Sequence, residues 1–176
     1  MSSIVLSGDT SGTVTVAVPA VAGTNTVTIA AQTGTLNAAG PAFSAYSTSN
    51  QTGIASATFT KMQFTSEFFD TNNCFDSTTN YRFTPNVAGY YQVNGNLCTE
   101  TSSVVTRTFI ALYKNGSAIL RGGDLLGGNA VSLGTVIYLN GSTDYIELYG
   151  YAVGTGLVFR FQDNSSSFSA ALVRGA

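Results

Sequence analysis

The sequence of 176 residues contains no histidine and no tryptophan, and it has only three prolines. Without histidine the chain lacks the commonest general base, the commonest metal ligand and the base of every Ser-His or Cys-His nucleophile pair. The absence of histidine therefore excludes most hydrolase mechanisms. We therefore predict that the chain is not an enzyme and that it has no catalytic residues.

Charge is also scarce, because charged residues make up 9 % of the chain and the net charge is −2. The seven basic residues are scattered among nine acids and form no stripe that could release counterions from a phosphate backbone, so we predict no binding to nucleic acid. Hydrophobic residues stand at 44 %, which is typical of a folded chain. Low charge beside nine Tyr and eleven Phe predicts that some surface is buried by self-association.

Long apolar runs are missing as well. No run approaches the roughly 18 apolar residues that a membrane span needs, and no basic leader precedes an apolar core, so we expect no membrane partner. Cys74 and Cys98 could pair in principle, but in a chain without a secretory leader we expect two reduced and mostly buried thiols. Two thiols without histidine do not predict a metal site, and we expect no cofactor.

The few acids give no pattern for chemistry. Three aspartates in predicted loops lack the regular ligand spacing of a calcium site, and turn capping is the simpler interpretation: Asp124, Asp144 and Asp163. Chance pairs arise easily among nine acids, so we do not predict a glycosidase pair from Glu67, Asp70 and Asp76. Gly122-Gly123 and Gly127-Gly128 predict a turning loop and match no phosphate-binding pattern.

Residues 1–40 differ in composition from the rest, with no aromatic residue and one charged residue, Asp9. Residues 13–18 and 24–29 alternate at period two, which predicts two short strands, and residues 19–23 predict a turn between them. A hairpin of such small side chains cannot bury a core by itself. We therefore predict that residues 1–40 are a β-rich segment that leans on another surface.

From residue 41 onward the strand signals become regular, and turn residues recur at spacings near ten. Asn115-Gly116 is the strongest of these turn signals and predicts a tight hairpin. No apolar periodicity of 3.6 residues is present, so an all-β sandwich or jelly roll is predicted. The predicted strands are residues 59–69, 81–83, 90–97, 106–114, 131–139, 145–153, 157–161 and 168–173.

Tyr149 and Tyr151 share one face of a predicted strand with Glu147, whereas Ile146 and Leu148 share the other. A solvated outer face would carry Thr, Ser or Lys, so this stripe of tyrosine indicates contact with another subunit. The alternatives are a face buried between two sheets or ordinary exposed tyrosines.

Four short motifs resemble the globular-head domain of complement C1q, a relative of the tumour necrosis factor fold. They are residues 83–85 (Phe-Thr-Pro), 89–91 (Gly-Tyr-Tyr), 43–45 (Phe-Ser-Ala) and 168–173 (Phe-Ser-Ala-Ala-Leu-Val). The resemblance implies a jelly roll over residues 41–176 and a homotrimer around a three-fold axis with aromatic residues at its seam. The interface residues that we predict on this basis are Tyr113, Tyr149, Tyr151 and Phe159.

Residues 7–12 (Ser-Gly-Asp-Thr-Ser-Gly), with residues 18–26 and 33–36, resemble a segment common in tailed-bacteriophage structural proteins. This resemblance implies a virion protein assembled in the cytoplasm of a bacterial host, with residues 1–40 as its attachment segment. The chain lacks a collagen Gly-X-Y stalk, which speaks against a complement-like role.

Two virion roles follow from these resemblances. A tail fibre usually needs an adaptor and a shaft, and the 40 small residues at the start of the chain provide little of either. This favours a decoration or cement protein bound to other virion proteins such as the major capsid protein. The alternative is the receptor-binding head of a tail or head fibre, recognising a host surface glycan or protein through adaptable Ser, Asn, Gly and Tyr side chains. A non-viral lectin is a further alternative.

Overall fold

The structure is a computed structural model, and it describes residues 3–7, 12–17, 40–127 and 129–176. It divides into two compact units, Met1–Gly34 and Thr35–Ala176. Over the described residues the regular structure consists of fourteen strands and one short 3-10 helix, Gln162–Asn164. None of the described segments forms a helix long and apolar enough to cross a membrane.

The first unit contains an antiparallel pair of strands, β1 (Ser3–Ser7) and β2 (Thr13–Ala17), with Ser3 opposite Ala17. Gly12 precedes β2 with φ +83°, a left-handed conformation that glycine adopts without steric cost. The predicted strand over residues 13–18 is thus confirmed, and its partner is the preceding segment of the chain. The other predicted strand, residues 24–29, and the predicted turn at 19–23 lie outside the described residues.

The second unit holds twelve strands in two six-stranded antiparallel sheets. Their bounds are β3 (Ala42–Tyr46), β4 (Thr58–Lys61), β5 (Ser66–Asp70), β6 (Phe75–Asp76), β7 (Arg82–Phe83), β8 (Ala88–Thr99), β9 (Val104–Lys114), β10 (Ser117–Leu126), β11 (Ala130–Asn140), β12 (Ile146–Thr155), β13 (Phe159–Arg160) and β14 (Ser167–Gly175). The first sheet has the order β10-β9-β12-β7-β6, with β4 also beside β12. The second has the order β11-β8-β14-β3-β5, with β13 also beside β8.

The predicted all-β sandwich is confirmed, but the predicted strand over residues 59–69 is divided. β4 pairs with β12 in the first sheet, whereas β5 pairs with β3 in the second, so the chain crosses the sandwich between them. Met62 and Phe64 are buried in this crossing, while Phe68 is 58 % exposed. The period-two pattern failed here because it does not show where the chain leaves the first sheet and enters the second.

The loop predicted around Gly122-Gly123 is wrong, because these residues lie within the ten-residue strand β10. The two glycines sit where the register with β9 shifts between Arg121 and Asp124. Glycine inside a strand pattern is typical of such a bulge. The hairpin predicted at Asn115-Gly116 is confirmed, with φ of 51° and 79° at its two central residues.

The core between the sheets is built from the motifs that carry the C1q resemblance. The ring centroid of Phe43 lies 4.6 Å from that of Phe83 and 5.0 Å from that of Phe168, so three separate motifs meet in the core. Tyr91 is fully buried, and its hydroxyl donates a hydrogen bond to the Val87 carbonyl at 2.7 Å. The buried residues of these motifs therefore contribute to the packing of the core. A functional surface has to be sought among the exposed residues of the sandwich.

Candidate interaction surfaces

The outer face of the first sheet carries a group of aromatic side chains that we call the tyrosine layer: Phe59, Phe109, Tyr113, Tyr149 and Tyr151. Strand register brings them together, because Tyr151 on β12 lies opposite Phe109 on β9 and opposite Phe59 on β4. Successive residues of a strand point to opposite faces, so Ile146 and Leu148 of β12 go to the core. The division of faces predicted for β12 is confirmed.

The rings of the tyrosine layer cover one another. Tyr113 and Tyr149 are stacked with centroids 4.0 Å apart, and Phe109 and Tyr151 are stacked at 4.2 Å. Phe59 lies 5.2 Å from both Phe109 and Tyr151. Phe109 is consequently only 5 % exposed, and the other members are half-buried. The layer already stabilises the single chain, since aromatic pairs of this geometry contribute about 1 kcal/mol beyond their buried area.

A buried ion pair lies within the same face. Glu147 is opposite Tyr113 in the register, and its side chain is 5 % exposed. Its Oε1 lies 2.5 Å from the Lys61 Nζ, which also donates a hydrogen bond to the Asn80 carbonyl at 3.2 Å. The pair makes this end of the layer electrically neutral, although it contains two charged groups.

Arginines border the layer on the β10 side. The Arg107 guanidinium binds Asp124 through two hydrogen bonds, at 2.9 and 2.6 Å, and these bonds raise the pKa of Arg107 and lower that of Asp124. Arg121 lies 5.5 Å from the ring centroids of both Phe59 and Phe109. A cation over aromatic faces is favourable, so Arg121 helps to hold the layer in place.

The structure brings together three of the four predicted interface residues, namely Tyr113, Tyr149 and Tyr151. Burial raises the pKa of Tyr149 to about 12, with the neighbouring Glu147 carboxylate as the next cause. The fourth residue is corrected. Phe159 is fully buried in the core, because β13 turns its side chain between the sheets, where it packs against the backbone of Gly150. A side chain without exposed area in the single chain contributes none to an interface.

The part of the second sheet's outer face that β8 and β11 form is different, and we call it the uncharged face; Arg174 of the neighbouring β14 lies opposite Tyr90 at its border. Along β8 and β11 its side chains include no charged residue: Tyr90, Gln92, Asn94, Asn96, Cys98, Ala130, Ser132, Gly134, Val136 and Tyr138. Its apolar members are well exposed, with Tyr90 at 44 %, Val136 at 54 % and Tyr138 at 42 %. The rings of Tyr90 and Tyr138 lie 5.6 Å apart.

Strand β11 forms the border of this face. It is eleven residues long, lies at the end of the second sheet, and pairs with β8 without a register shift. Its sequence contains neither a charged residue nor proline. This edge is covered within the chain, because β10 of the first sheet packs against β11 at Gly122 and Gly123, where added Cβ atoms would lie 2.6 Å from the Leu133 Cβ and 3.3 Å from the Val131 Cβ.

Sequence reasoning missed the uncharged face and its edge. A signal for them was present, since alternate positions from Ala130 to Tyr138 carry no charge over the whole strand. Such a strand reads equally well as a central strand that is buried on both sides. Only the topology shows that β11 ends a sheet.

The three aspartates that we predicted in loops each pair with a cation of the chain, although Asp124 lies in β10 and Asp163 in the 3-10 helix. Asp144 lies 2.8 Å from Lys114 and also accepts hydrogen bonds from Asn115 and from the Asn140 backbone, which lower its pKa. Asp124 pairs with Arg107, as described above, and Asp163 with Arg160 at 2.9 Å. Over the described part of the chain, no group of three His, Cys, Asp or Glu residues could hold a metal ion.

The remaining candidate groups have structural contacts. Asp70 accepts a hydrogen bond from the Phe75 backbone at 2.7 Å, and Asp76 accepts hydrogen bonds from three backbone N–H groups of its own loop, so both carboxylates hold the backbone around them. Cys74 is buried and Cys98 half-buried, and both are unpaired. Burial raises the pKa of both thiols.

Murine APRIL, a tumour necrosis factor family ligand, has a similar fold. Its crystal structure at pH 8.0 gives a TM-score of 0.58 at 9 % identity, covering 76 % of this chain and 98 % of the APRIL chain. Its structure at pH 5.0 gives 0.54 at 8 % identity, covering 77 % and 100 %. The predicted jelly roll of the tumour necrosis factor type is thereby confirmed. No protein-family model matches the chain, and no curated protein matches it either.

Proposed function

We propose that the chain is a homotrimeric, non-enzymatic structural protein of a bacteriophage particle that decorates or cements the capsid. The jelly roll supports the trimer, because the resembled family packs three such domains around a three-fold axis. The likeness of residues 7–36 to phage structural segments supports the virion, and the major capsid protein is then the partner of residues 1–40.

The uncharged face is the observation that carries self-association. Tyr90, Val136 and Tyr138 expose apolar area on one face, and a chain of net charge −2 has little charge to oppose association there. Serine, asparagine and glycine lie between these apolar residues, so a second copy could approach closely while amides and hydroxyls bond across the contact.

The tyrosine layer is the competing surface for the same contact. Its rings are stacked on one another and half-buried within the single chain, so association would remove less apolar area there than at the uncharged face. We therefore place the main subunit contact on β8 and β11, and the prediction for Tyr113, Tyr149 and Tyr151 becomes the alternative that the experiment tests.

Sedimentation equilibrium of the purified chain tests the assembly. We expect a trimer of the 18.3 kDa chain at micromolar concentration. Val136→Lys should raise the dissociation constant at least tenfold, because it places a charge in the contact. Val104→Lys is the matched control, since Val104 is 64 % exposed but lies off the uncharged face. A monomeric wild type overturns the proposal, and loss of the trimer in Tyr113→Ser but not in Val136→Lys moves the contact to the tyrosine layer.

Particle composition tests the virion role separately. Decoration requires many copies spread over the shell, and particles without the protein should lose thermal stability. A handful of copies at the tail would instead support a receptor-binding head. Absence from purified particles would overturn both virion roles while leaving the trimer untouched.

A further inference from the structure

A polar cleft of about 450 Å³ lies at one lateral side of the sandwich. It is lined by Glu67 of β5, which ends the second sheet, and by Asp76 and Arg82 of β6 and β7, which end the first. The opposite lateral side is closed, because β10 packs directly against β11 through Gly122 and Gly123. The described residues thus leave a cleft open to a small ligand at this lateral side, whereas the opposite lateral side is closed.

Two oppositely charged groups in this cleft have neither an ion-pair partner nor a hydrogen-bond partner among the described residues. The four ion pairs among the described residues leave out both Arg82 and Glu67. Neither side chain forms a hydrogen bond with another described residue, although both are half-buried. A guanidinium with free N–H donors and a carboxylate with free acceptors therefore line the same space.

The Arg82 guanidinium is held in place without losing its donors. It lies over the Tyr145 ring, 4.3 Å from the centroid. Stacking of this kind uses the face of the guanidinium plane and leaves the N–H groups at its edge available for a ligand.

The loop on the other side of the cleft is also fixed. Asp76 accepts hydrogen bonds from the backbone N–H groups of Thr78, Thr79 and Asn80, and from the Asn80 side chain at 2.6 Å. Asp76 is therefore a scaffold for the loop and is not available to a ligand. The loop presents Ser77, Thr78 and Asn80 to the cleft, and Asn73 and Thr84 add further neutral groups.

This lining excludes several classes of ligand. A phosphate would meet one arginine beside two carboxylates, so the charge does not favour an anion. An apolar molecule would find only Cys74 and Phe75 as non-polar lining residues, and both are largely buried already. A metal ion finds no set of three suitable ligands among the described residues.

We propose that this cleft binds the terminal residue of a saccharide. Sugar hydroxyls both donate and accept hydrogen bonds, which matches a lining of hydroxyls, amides, one free guanidinium and one free carboxylate. In this arrangement Arg82 donates to ring or hydroxyl oxygens, and Glu67 accepts from a hydroxyl. This site goes beyond the proposed assembly role, and it gives a trimer three polar sites.

The test is an NMR titration of the isotope-labelled full-length chain with glucose, galactose, N-acetylglucosamine and glucuronic acid. At least one sugar should shift the backbone resonances of residues 73–84, with a dissociation constant on the order of 1 mM for a single sugar ring. Glu67→Gln and Arg82→Gln should each weaken binding at least tenfold. Glu100→Gln and Arg174→Gln are the matched controls and should change it less than twofold.

Glu67→Gln keeps the shape of the side chain, so it decides the question even if Arg82→Gln fails to fold. The proposal is overturned if none of the four sugars shifts residues 73–84, or if Glu67→Gln binds as the wild type does. If the resonances of residues 73–84 shift with another protein but with none of the four sugars, the cleft belongs to a protein partner and the saccharide proposal is also overturned. Because the NMR shifts report the cleft alone, failure here leaves the sedimentation test of the trimer unaffected.

Discussion

Gly122 of β10 and Leu133 of β11 lie so close together that a Cβ at residue 122 would be 2.6 Å from the Leu133 Cβ. The same position would lie 2.6 Å from the Ser132 carbonyl oxygen. The two sheets are therefore joined along this side by direct contact between a glycine and the facing strand, which is only possible without a side chain at residue 122.

Gly122→Ala should destabilise the chain by about 2 kcal/mol, because neither a Cβ nor a backbone carbonyl can move aside cheaply. Chemical denaturation measures the effect. Gly175→Ala is the control, since no atom lies within 4 Å of the added Cβ there, and it should change the free energy of unfolding by less than about 0.5 kcal/mol. Equal stability of the two variants would show that β10 does not close on β11.

Lys61→Met should cost about 2 kcal/mol of unfolding free energy, because it leaves the Glu147 carboxylate buried without its cation. Adding Glu147→Gln to this variant should recover part of the loss, since the uncompensated charge is then gone. Arg160→Met removes the cation of an exposed pair, in which the Asp163 side chain is 79 % exposed, and should cost less than about 0.5 kcal/mol. A similar cost for both single variants would contradict the buried character of the first pair.

Acid should unfold the chain partly through Asp76. Hydrogen bonds from the backbone N–H groups of Thr79 and Thr78 hold the pKa of Asp76 well below its usual range. A lowered pKa adds stability that is complete above the unfolded value of about 3.9 and is lost as the pH falls through the folded value. Asp76→Asn should therefore be about 1 kcal/mol less stable at pH 7, and its deficit should shrink below pH 4.

Thermal or urea unfolding of Asp76→Asn and of the wild type between pH 2 and 7 measures how the difference between their free energies of unfolding changes with pH. Asp163→Asn removes an exposed aspartate and serves as the control, with a small difference at neutral pH. A deficit for Asp76→Asn that stays constant over this range would mean that its charge is irrelevant to stability.

Alkali should destabilise the chain through Tyr149. Burial raises its pKa to about 12, so the folded state keeps the phenol neutral while the unfolded state ionises near pH 10. The stability that this group adds is complete below pH 10 and is lost as the pH rises towards 12. Between pH 10 and 12 the wild type should lose about 1 kcal/mol more of its free energy of unfolding than Tyr149→Phe does. The loss is limited to this size because solvent reaches part of the Tyr149 ring. Parallel curves for the two proteins would rule out this contribution.

Much of the sandwich could be predicted from local pattern. The hairpin at Asn115-Gly116 and the two faces of β12 follow from turn chemistry and from the alternation of side chains along a strand. β10 could not be predicted, because two glycines read as a loop unless the neighbouring strand is known. Residues 59–69 failed for a related reason, since a period-two pattern does not say where a chain leaves one sheet for the other.

The candidate surfaces divide in the same way. Alternation was enough to place Tyr149 and Tyr151 on one face, and the register then brought Tyr113 beside them. The prediction that Phe159 lies at the interface was wrong, because the short pattern around Arg160 does not show whether its aromatic neighbours face the core or the outside. The position of β11 at the end of its sheet and the placement of Glu67 and Arg82 on one cleft depend on how the strands are arranged in the two sheets, so no local pattern contains them.

The sequence by itself determined the all-β class, the absence of histidine chemistry and the resemblance that implies a jelly roll, because composition, alternation and turn residues are local properties. Tertiary structure alone decided which strands end a sheet, which aromatic rings cover one another and which charged groups remain unpaired. These properties depend on contacts between residues distant in sequence. They place the proposed subunit contact on β8 and β11, and the proposed saccharide site between β5 and β7.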